Sequence, residues 1–334
     1  MRSREQERQL GQLFVVGFPG PEPPPAFKRF LAEDHIGGII LFEENCPSHQ
    51  MTRESIEMLR RESRSPHLVI AIDQEGGRVC RLRGAPAEFR SAETYSDELG
   101  LDRFREEYTR SAVYMESLGI NLNLAPVADI FLNERNTVLK GRCYGRTPEQ
   151  VSSFVRVAVD TAAQNGLLSC LKHFPGLGSA DLDPHVATPR VVYNEIIWTM
   201  RDLAPFAAGI EAGADLVMTT HLVLEPLDTT IVTGSARIID QLLRNRAAFD
   251  GPVITDDLLM EGAASLGSVG ERAVAAFLAG HDILLFGRDF EAAMAAFDYF
   301  SEAFRRGEIS HERVAASLGR VNGLKYKLRR TPIG

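Results

Sequence analysis

Eight short β-type runs recur along the chain with helix-like patterns between them. They are Leu13–Phe18, Gly38–Phe42, Leu68–Asp73, Asn121–Pro126, Leu168–His173, Ala214–His221, Val253–Asp256 and Asp282–Phe286. Strands buried on both faces read as near-continuous apolar runs, and strands separated by helices pair in parallel. Eight such units predict an α/β fold of the closed (β/α)8 TIM type. Clear amphipathic helical patterns cover roughly 148–164, 194–212, 236–246, 271–278, 291–305 and 311–329. The 334 residues exceed the roughly 250 of a minimal barrel. The excess leaves room for elaborated loops and C-terminal helices, so one catalytic domain over 1–334 is expected. An open doubly wound sheet would want a glycine-rich phosphate loop after the first strand. That position holds Pro-Gly-Pro-Glu-Pro instead.

Barrel enzymes build their sites at the C-terminal ends of the strands. Five of the eight runs deliver ionisable groups there. The third ends in Asp73, followed by Gln-Glu-Gly-Gly-Arg, and the fourth is followed by Asp129. The fifth ends in Lys172 and His173, the sixth in His221, and the seventh in Asp256 and Asp257. Helix caps also favour aspartate, and Asp257 reads as such a cap; five strand ends together exceed what capping explains. After the fifth run a Pro-Gly-x-Gly stretch, with Gly176 and Gly178, leads to Asp183 and His185. A carboxylate beside a histidine orients the imidazole and makes it a useful proton-transfer group. The glycines are expected to let this loop swing over the site. Read alone, the loop could equally be a surface turn with a chance Asp and His.

The net charge of −8 argues against a nucleic-acid partner, which would show a basic face. No apolar run reaches the roughly 20 residues a membrane span needs. The apolar stretch near the N-terminus, Leu13 to Phe18, is too short for a signal-peptide core. Cys46, Cys80, Cys143 and Cys170 have no zinc-ligand spacing, so neither metal nor cofactor is expected. Free thiols without an export signal fit the reducing cytoplasm. There is no HExxH and no GxSxG. The strand ends offer carboxylates, Lys172, Arg78, Arg81, Arg142 and histidines, a mixture suited to a polyhydroxylated ligand. His35, His49, His67, His281 and His311 read as surface or packing histidines, and Asp282 as part of the barrel.

Six segments in order along the chain resemble family 3 glycoside hydrolases, and within them the NagZ-type β-N-acetylglucosaminidases of peptidoglycan recycling. They are AIDQEGGRVCRL (71–82), NLNLAPVADI (121–130), KGRCYGR (140–146), LKHFPGLGSADLDPH (171–185), DLVMTTHL (215–222) and VITDDLLMEGA (253–263). The resemblance implies Asp256 as nucleophile, His185 as acid/base and Asp183 as its partner. It implies that Asp73, Arg81, Arg142, Lys172 and His173 grip the terminal N-acetylglucosamine, with Asp129 and His221 supporting the pocket. It further implies a monomer acting on a small carbohydrate. The chain departs from the family pattern at Leu177, where a histidine is usual, and at Pro184, where a serine is usual. It also carries NTVLKGRCYG in place of a sequence like NPVIGxRSFG, and Glu44-Asn45 in place of Arg-Asn.

The implied reaction is a retaining double displacement in which Asp256 attacks the anomeric carbon. His185 first protonates the leaving oxygen and then deprotonates water. A phosphorylase on the same scaffold is the alternative, because a histidine acid/base does not repel phosphate as a glutamate would. A non-catalytic sugar-binding barrel is the alternative outside enzymes.

Overall fold

The computed structural model describes residues 9–33, 35–63, 67–84, 86–181, 188–192 and 194–330. Eight strands form a parallel sheet: β1 (Phe14–Val16), β2 (Gly38–Leu41), β3 (Val69–Ile72), β4 (Leu122–Asn123), β5 (Leu168–Phe174), β6 (Leu216–Thr219), β7 (Val253–Ile254) and β8 (Leu284–Phe286). Each pairs with its sequence neighbour, and β1 pairs with β8. A single parallel bridge, Ile254 to Ile283, nearly closes the ring between β7 and β8. The predicted (β/α)8 barrel is therefore the observed one. Every residue of these strands is buried, as parallel strands covered by helices require.

The outer helices follow the strands in alternation. Pro25–Glu33, His49–Ser63, Gly100–Leu118 and Pro148–Gln164 follow the first four strands. The proline cluster after β1 is a βα loop, and Pro25 occupies the first helical position, where a missing N–H costs nothing. The expected helix over 194–212 is two helices, Glu195–Met200 and Leu203–Glu211. Pro205 is the reason: it lacks the N–H that would return to Arg201, so the helix restarts with proline in its first turn.

The helix His311–Arg330 closes the N-terminal end of the barrel. Arg313, Ser317 and Arg320 reach Asp282, and Lys327 reaches Asp215, both just before strands. Aromatic packing ties β1 and β8 to the outer helix Phe290–Arg305: the Phe14 ring stacks on Phe286 and meets Phe297 and Phe300 edge-on. With the N-terminal end sealed, the open end is the C-terminal mouth. No helix among the described residues is long and apolar enough to cross a membrane.

Candidate active site

The loop after β3 is built to present one side chain. Gln74 is fully buried and locks the turn: its Oε1 accepts from the backbone N–H of Arg81 (2.9 Å) and Leu82 (3.1 Å), and its Nε2 donates to the Ala87 carbonyl (3.0 Å). Its backbone exchanges two hydrogen bonds with the Asn123 side chain at the end of β4. Gly76 has φ of 90°, and a Cβ there would lie 2.3 Å from the Arg90 carbonyl, so only glycine fits. Between these fixed points stands Glu75.

Glu75 is the hub of an ionic chain along the cavity wall. Arg142 grips it in a fork, Nε to Oε2 at 2.7 Å and Nη2 to Oε1 at 2.9 Å. Lys172 Nζ lies 2.6 Å from Glu75 Oε1 and 2.7 Å from Asp73 Oδ1. Arg81 approaches Asp73 at 3.5 Å. On the far side Arg142 Nη2 meets His173 Nε2 at 3.3 Å, and His173 Nδ1 meets Asp129 Oδ2 at 2.7 Å. Arginine only donates, so this contact takes the lone pair of Nε2, and the ring proton sits on Nδ1 facing Asp129. Signs alternate from Arg81 through Asp73, Lys172 and Glu75 to Arg142.

Burial alone would push Asp73, Glu75, Lys172 and Arg142 toward neutrality, and their partners overrule it. Burial raises the Asp73 carboxyl, but Lys172 and Arg81 hold it below the usual carboxylate range. Glu75 is driven well below that range by Arg142 and Lys172. Burial would lower the Lys172 ammonium, yet Asp73 and Glu75 keep it above its ordinary value. Arg142 is likewise raised by Glu75 against its burial.

This wall borders a cavity of about 440 Å³ at the C-terminal mouth, the size class of small-molecule sites. Asp73, Arg81, Arg142, Lys172, His173 and Asp256 all line it. Strand β5 contributes both Lys172 and His173 because its regular register breaks between Leu171 and Phe174. Asp256 stands two residues past β7, its Oδ1 accepting from the Asp257 N–H at 2.8 Å. Asp257 also lines the cavity, but its Oδ1 serves the turn, accepting from the N–H groups of Leu259 (2.9 Å) and Gly287 (3.0 Å). Met218, Met260, Leu285 and Leu177 supply apolar wall.

Two expected residues stand behind the cavity. Asp129, 1% exposed, accepts from the His173 backbone and ring and from the Leu177 N–H (2.6 Å). His221 is fully buried, with Nδ1 against Thr233 Oγ1 (2.7 Å) and Nε2 against the Asp257 carbonyl (3.0 Å); it braces the turn that carries Asp256. Asp183 and His185 lie outside the described residues.

The root of their loop corrects one expectation. Gly176 has the positive φ of 116° that suits glycine, but Gly178 is a packing position: a Cβ would fall 1.8 Å from the Ile130 carbonyl. Asn136 binds the Leu177 carbonyl (2.9 Å), Asn133 the Ala180 carbonyl (3.1 Å) and Trp198 the Pro175 carbonyl (2.8 Å). Gly178 and these hydrogen bonds thus seat the root of the loop against the barrel.

Glu75 is the residue that sequence reading passed over. It was visible inside the Gln-Glu-Gly-Gly-Arg segment, but its partners lie 67 and 97 positions away. Among the described residues, no group of three or more His, Cys, Asp and Glu side chains is arranged to hold a metal ion.

Known proteins carry the same architecture. The family described as glycosyl hydrolase family 3 N terminal domain matches residues 5–324. A protein of Xanthomonas axonopodis pv. citri named "Beta-hexosaminidase" is 34% identical over 282 residues, covering 82% of this chain and 83% of its own. A protein of Arthroderma benhamiae named "Uncharacterized secreted glycosyl hydrolase" is 31% identical, covering 96% of this chain and 93% of its own. A family 3 β-N-acetylglucosaminidase structure from Paenibacillus sp. str. FPU-7 superposes with TM-score 0.89 at 34% identity. It covers 97% of this chain, which spans 62% of that longer protein. A β-N-acetylhexosaminidase from Beutenbergia cavernae gives TM-score 0.87 at 27% identity, covering 96% and 98%. Barrel, cavity and matched sequence agree: the chain belongs to glycosyl hydrolase family 3.

Proposed function

We propose that this protein is a retaining exo-β-N-acetylglucosaminidase. The observation that carries the reading is that Asp256 opens onto the same cavity as the Asp73–Lys172–Glu75–Arg142 chain. A carboxylate with no ion-pair partner among the described residues, beside fixed, charge-assisted donors, is what displacement at an anomeric carbon needs: a nucleophile, and a grip that holds the sugar against it. The names of the Xanthomonas and Paenibacillus relatives support the sugar.

In this reading Asp256 forms the glycosyl-enzyme. His185 acts as acid and then base, with Asp183 stabilising its imidazolium. Asp129 and His221 hold His173 and the Asp256 turn in place. Peptidoglycan-derived muropeptides are the proposed substrates, the cytoplasm the proposed location, and the monomer the proposed state; the four free thiols support a reducing compartment.

The test is turnover of an aryl β-N-acetylglucosaminide beside the matching β-glucoside, in buffers with and without phosphate. Faster hydrolysis of the first, with free N-acetylglucosamine released in both buffers, is expected. A sugar 1-phosphate product would make the enzyme a phosphorylase, and no turnover would favour a binding barrel.

A further inference from the structure

Neighbouring cations on a cavity wall do not stay aligned by themselves. Arg142 and Lys172 repel, and the Arg142 charge opposes the rise that Asp73 and Glu75 give the Lys172 ammonium. Both bond to one carboxylate, which occupies the space between them. Lys172 has a second anion in Asp73. Arg142 has no other carboxylate partner among the described residues; its remaining contacts are the Val138 carbonyl (3.1 Å) and the His173 ring. Glu75 is heavily engaged in return: it lines the cavity but is only 5% exposed, and its two oxygens accept three charge-assisted bonds. Its backbone cannot shift to compensate, because Gln74 is locked on one side and Gly76 packs against Arg90 on the other.

We infer that Glu75 is a positioning residue of the sugar site, acting through Arg142 and Lys172 by setting their spacing and aim. This rests on the reading of those two residues as the sugar grip. Replacing the carboxylate with an isosteric amide removes the negative charge. It also sets an NH2 group against obligate donors of Arg142 in either amide orientation: against Nε at the Oε2 position, or against Nη2 and Lys172 Nζ at the Oε1 position. One of the cations must then turn away, and Arg142, with no second carboxylate, is the one released. Lys172 stays on Asp73. The damage should therefore fall on sugar affinity, and Arg142 should lose most of its own value in that background.

The experiment combines steady-state kinetics with calorimetric binding of N-acetylglucosamine, normalised to folded protein. Glu75→Gln is expected to raise KM and the dissociation constant together, on the order of tenfold to a hundredfold, with a smaller change in kcat. Arg142→Ala should cost far less affinity in the Glu75→Gln background than in the wild type, the mark of two residues acting as one unit. Glu75→Asp keeps the charge and should recover part of the loss. If Glu75→Gln does not fold, the same cycle is run on Glu75→Asp, whose shorter arm can satisfy one cation but not both. Unchanged KM and affinity, or strictly additive effects with Arg142→Ala, would overturn the inference. A wild-type protein that binds no N-acetylglucosamine but binds another sugar would instead overturn the substrate reading, and the cycle would be run with that sugar.

Discussion

The two ends of this barrel each concentrate buried charge, and they use it in opposite ways. At the closed end Asp282 is fully buried and receives Arg244 (2.8 Å), Arg320 (3.3 Å), Arg313 (3.5 Å) and the Ser317 hydroxyl. The arginines also donate to main-chain carbonyls: Arg244 to Phe249 (2.8 Å) and Gly251 (2.5 Å), Arg313 to His281 (2.6 Å) and Arg320 to Asp250 (3.2 Å). These donors knit the last helix and two loops to the strands. At the mouth, the Arg81–Asp73–Lys172–Glu75–Arg142 chain and Asp256 border open space. Charge at the closed end is consumed by the protein, whereas charge at the mouth is organised by it and left facing the cavity. In the proposed function the same residue types serve stability at one end and chemistry at the other, as barrel architecture leads one to expect.

Mutations at the two ends should separate these roles. The largest effect belongs to the mouth. Asp256→Ala should lower kcat/KM on the order of 10⁴-fold or more with an unchanged melting temperature; its neighbour Asp257→Ala should cost less turnover. Next comes the closed end. Asp282→Ala strands three guanidiniums, and breaking a buried ion cluster by removing one partner costs roughly 3–5 kcal/mol. Urea unfolding should register that loss while kcat/KM per folded molecule holds. Arg142→Ala should weaken N-acetylglucosamine binding by about 2–5 kcal/mol, read by calorimetry. If Asp282→Ala destroyed sugar binding in folded protein, or Asp256→Ala spared turnover, the contrast between the two ends would fail.

A smaller effect is set by pH. His281 is fully buried beside Asp282, its ring between Thr219 Oγ1 (2.8 Å) and the Ala276 carbonyl (2.9 Å). Burial lowers it from 6.5 to about 4. Between those values the unfolded chain binds a proton that the folded protein refuses. Stability from this residue is therefore complete above pH 6.5 and falls as pH drops toward 4, with a slope of at most about 1.4 kcal/mol per pH unit. His281→Asn should flatten that part of the stability profile. At the mouth, the depressed Asp73 and Glu75 carboxyls act lower on the scale: their contribution is present above the ordinary carboxylate range and is lost as pH falls through their own values.

How much was legible in the sequence follows the same division. Strands β1 to β8 were readable because parallel strands are apolar throughout, and Asp73, Lys172, His173 and Asp256 were readable because they terminate such runs. Asp282 was readable as structure because it precedes its strand. Glu75 was not readable from position alone: it follows its strand by three residues within a hairpin, and its role exists only once Arg142 and Lys172 arrive from other strands. Gly178 misled because a glycine demanded by close approach to Ile130 looks, in sequence, like one demanded by motion. The 194–212 pattern kept a helical period straight through a break that Pro205 enforces.

The most direct test is to trap the glycosyl-enzyme with a fluorinated, slowly released N-acetylglucosamine-type substrate and map the labelled peptide by mass spectrometry. The label should sit on Asp256, in the segment that follows β7. A label on Asp257 or on any carboxylate outside the mouth would contradict the assignment of the nucleophile and, with it, the reading of this end of the barrel as the site of chemistry.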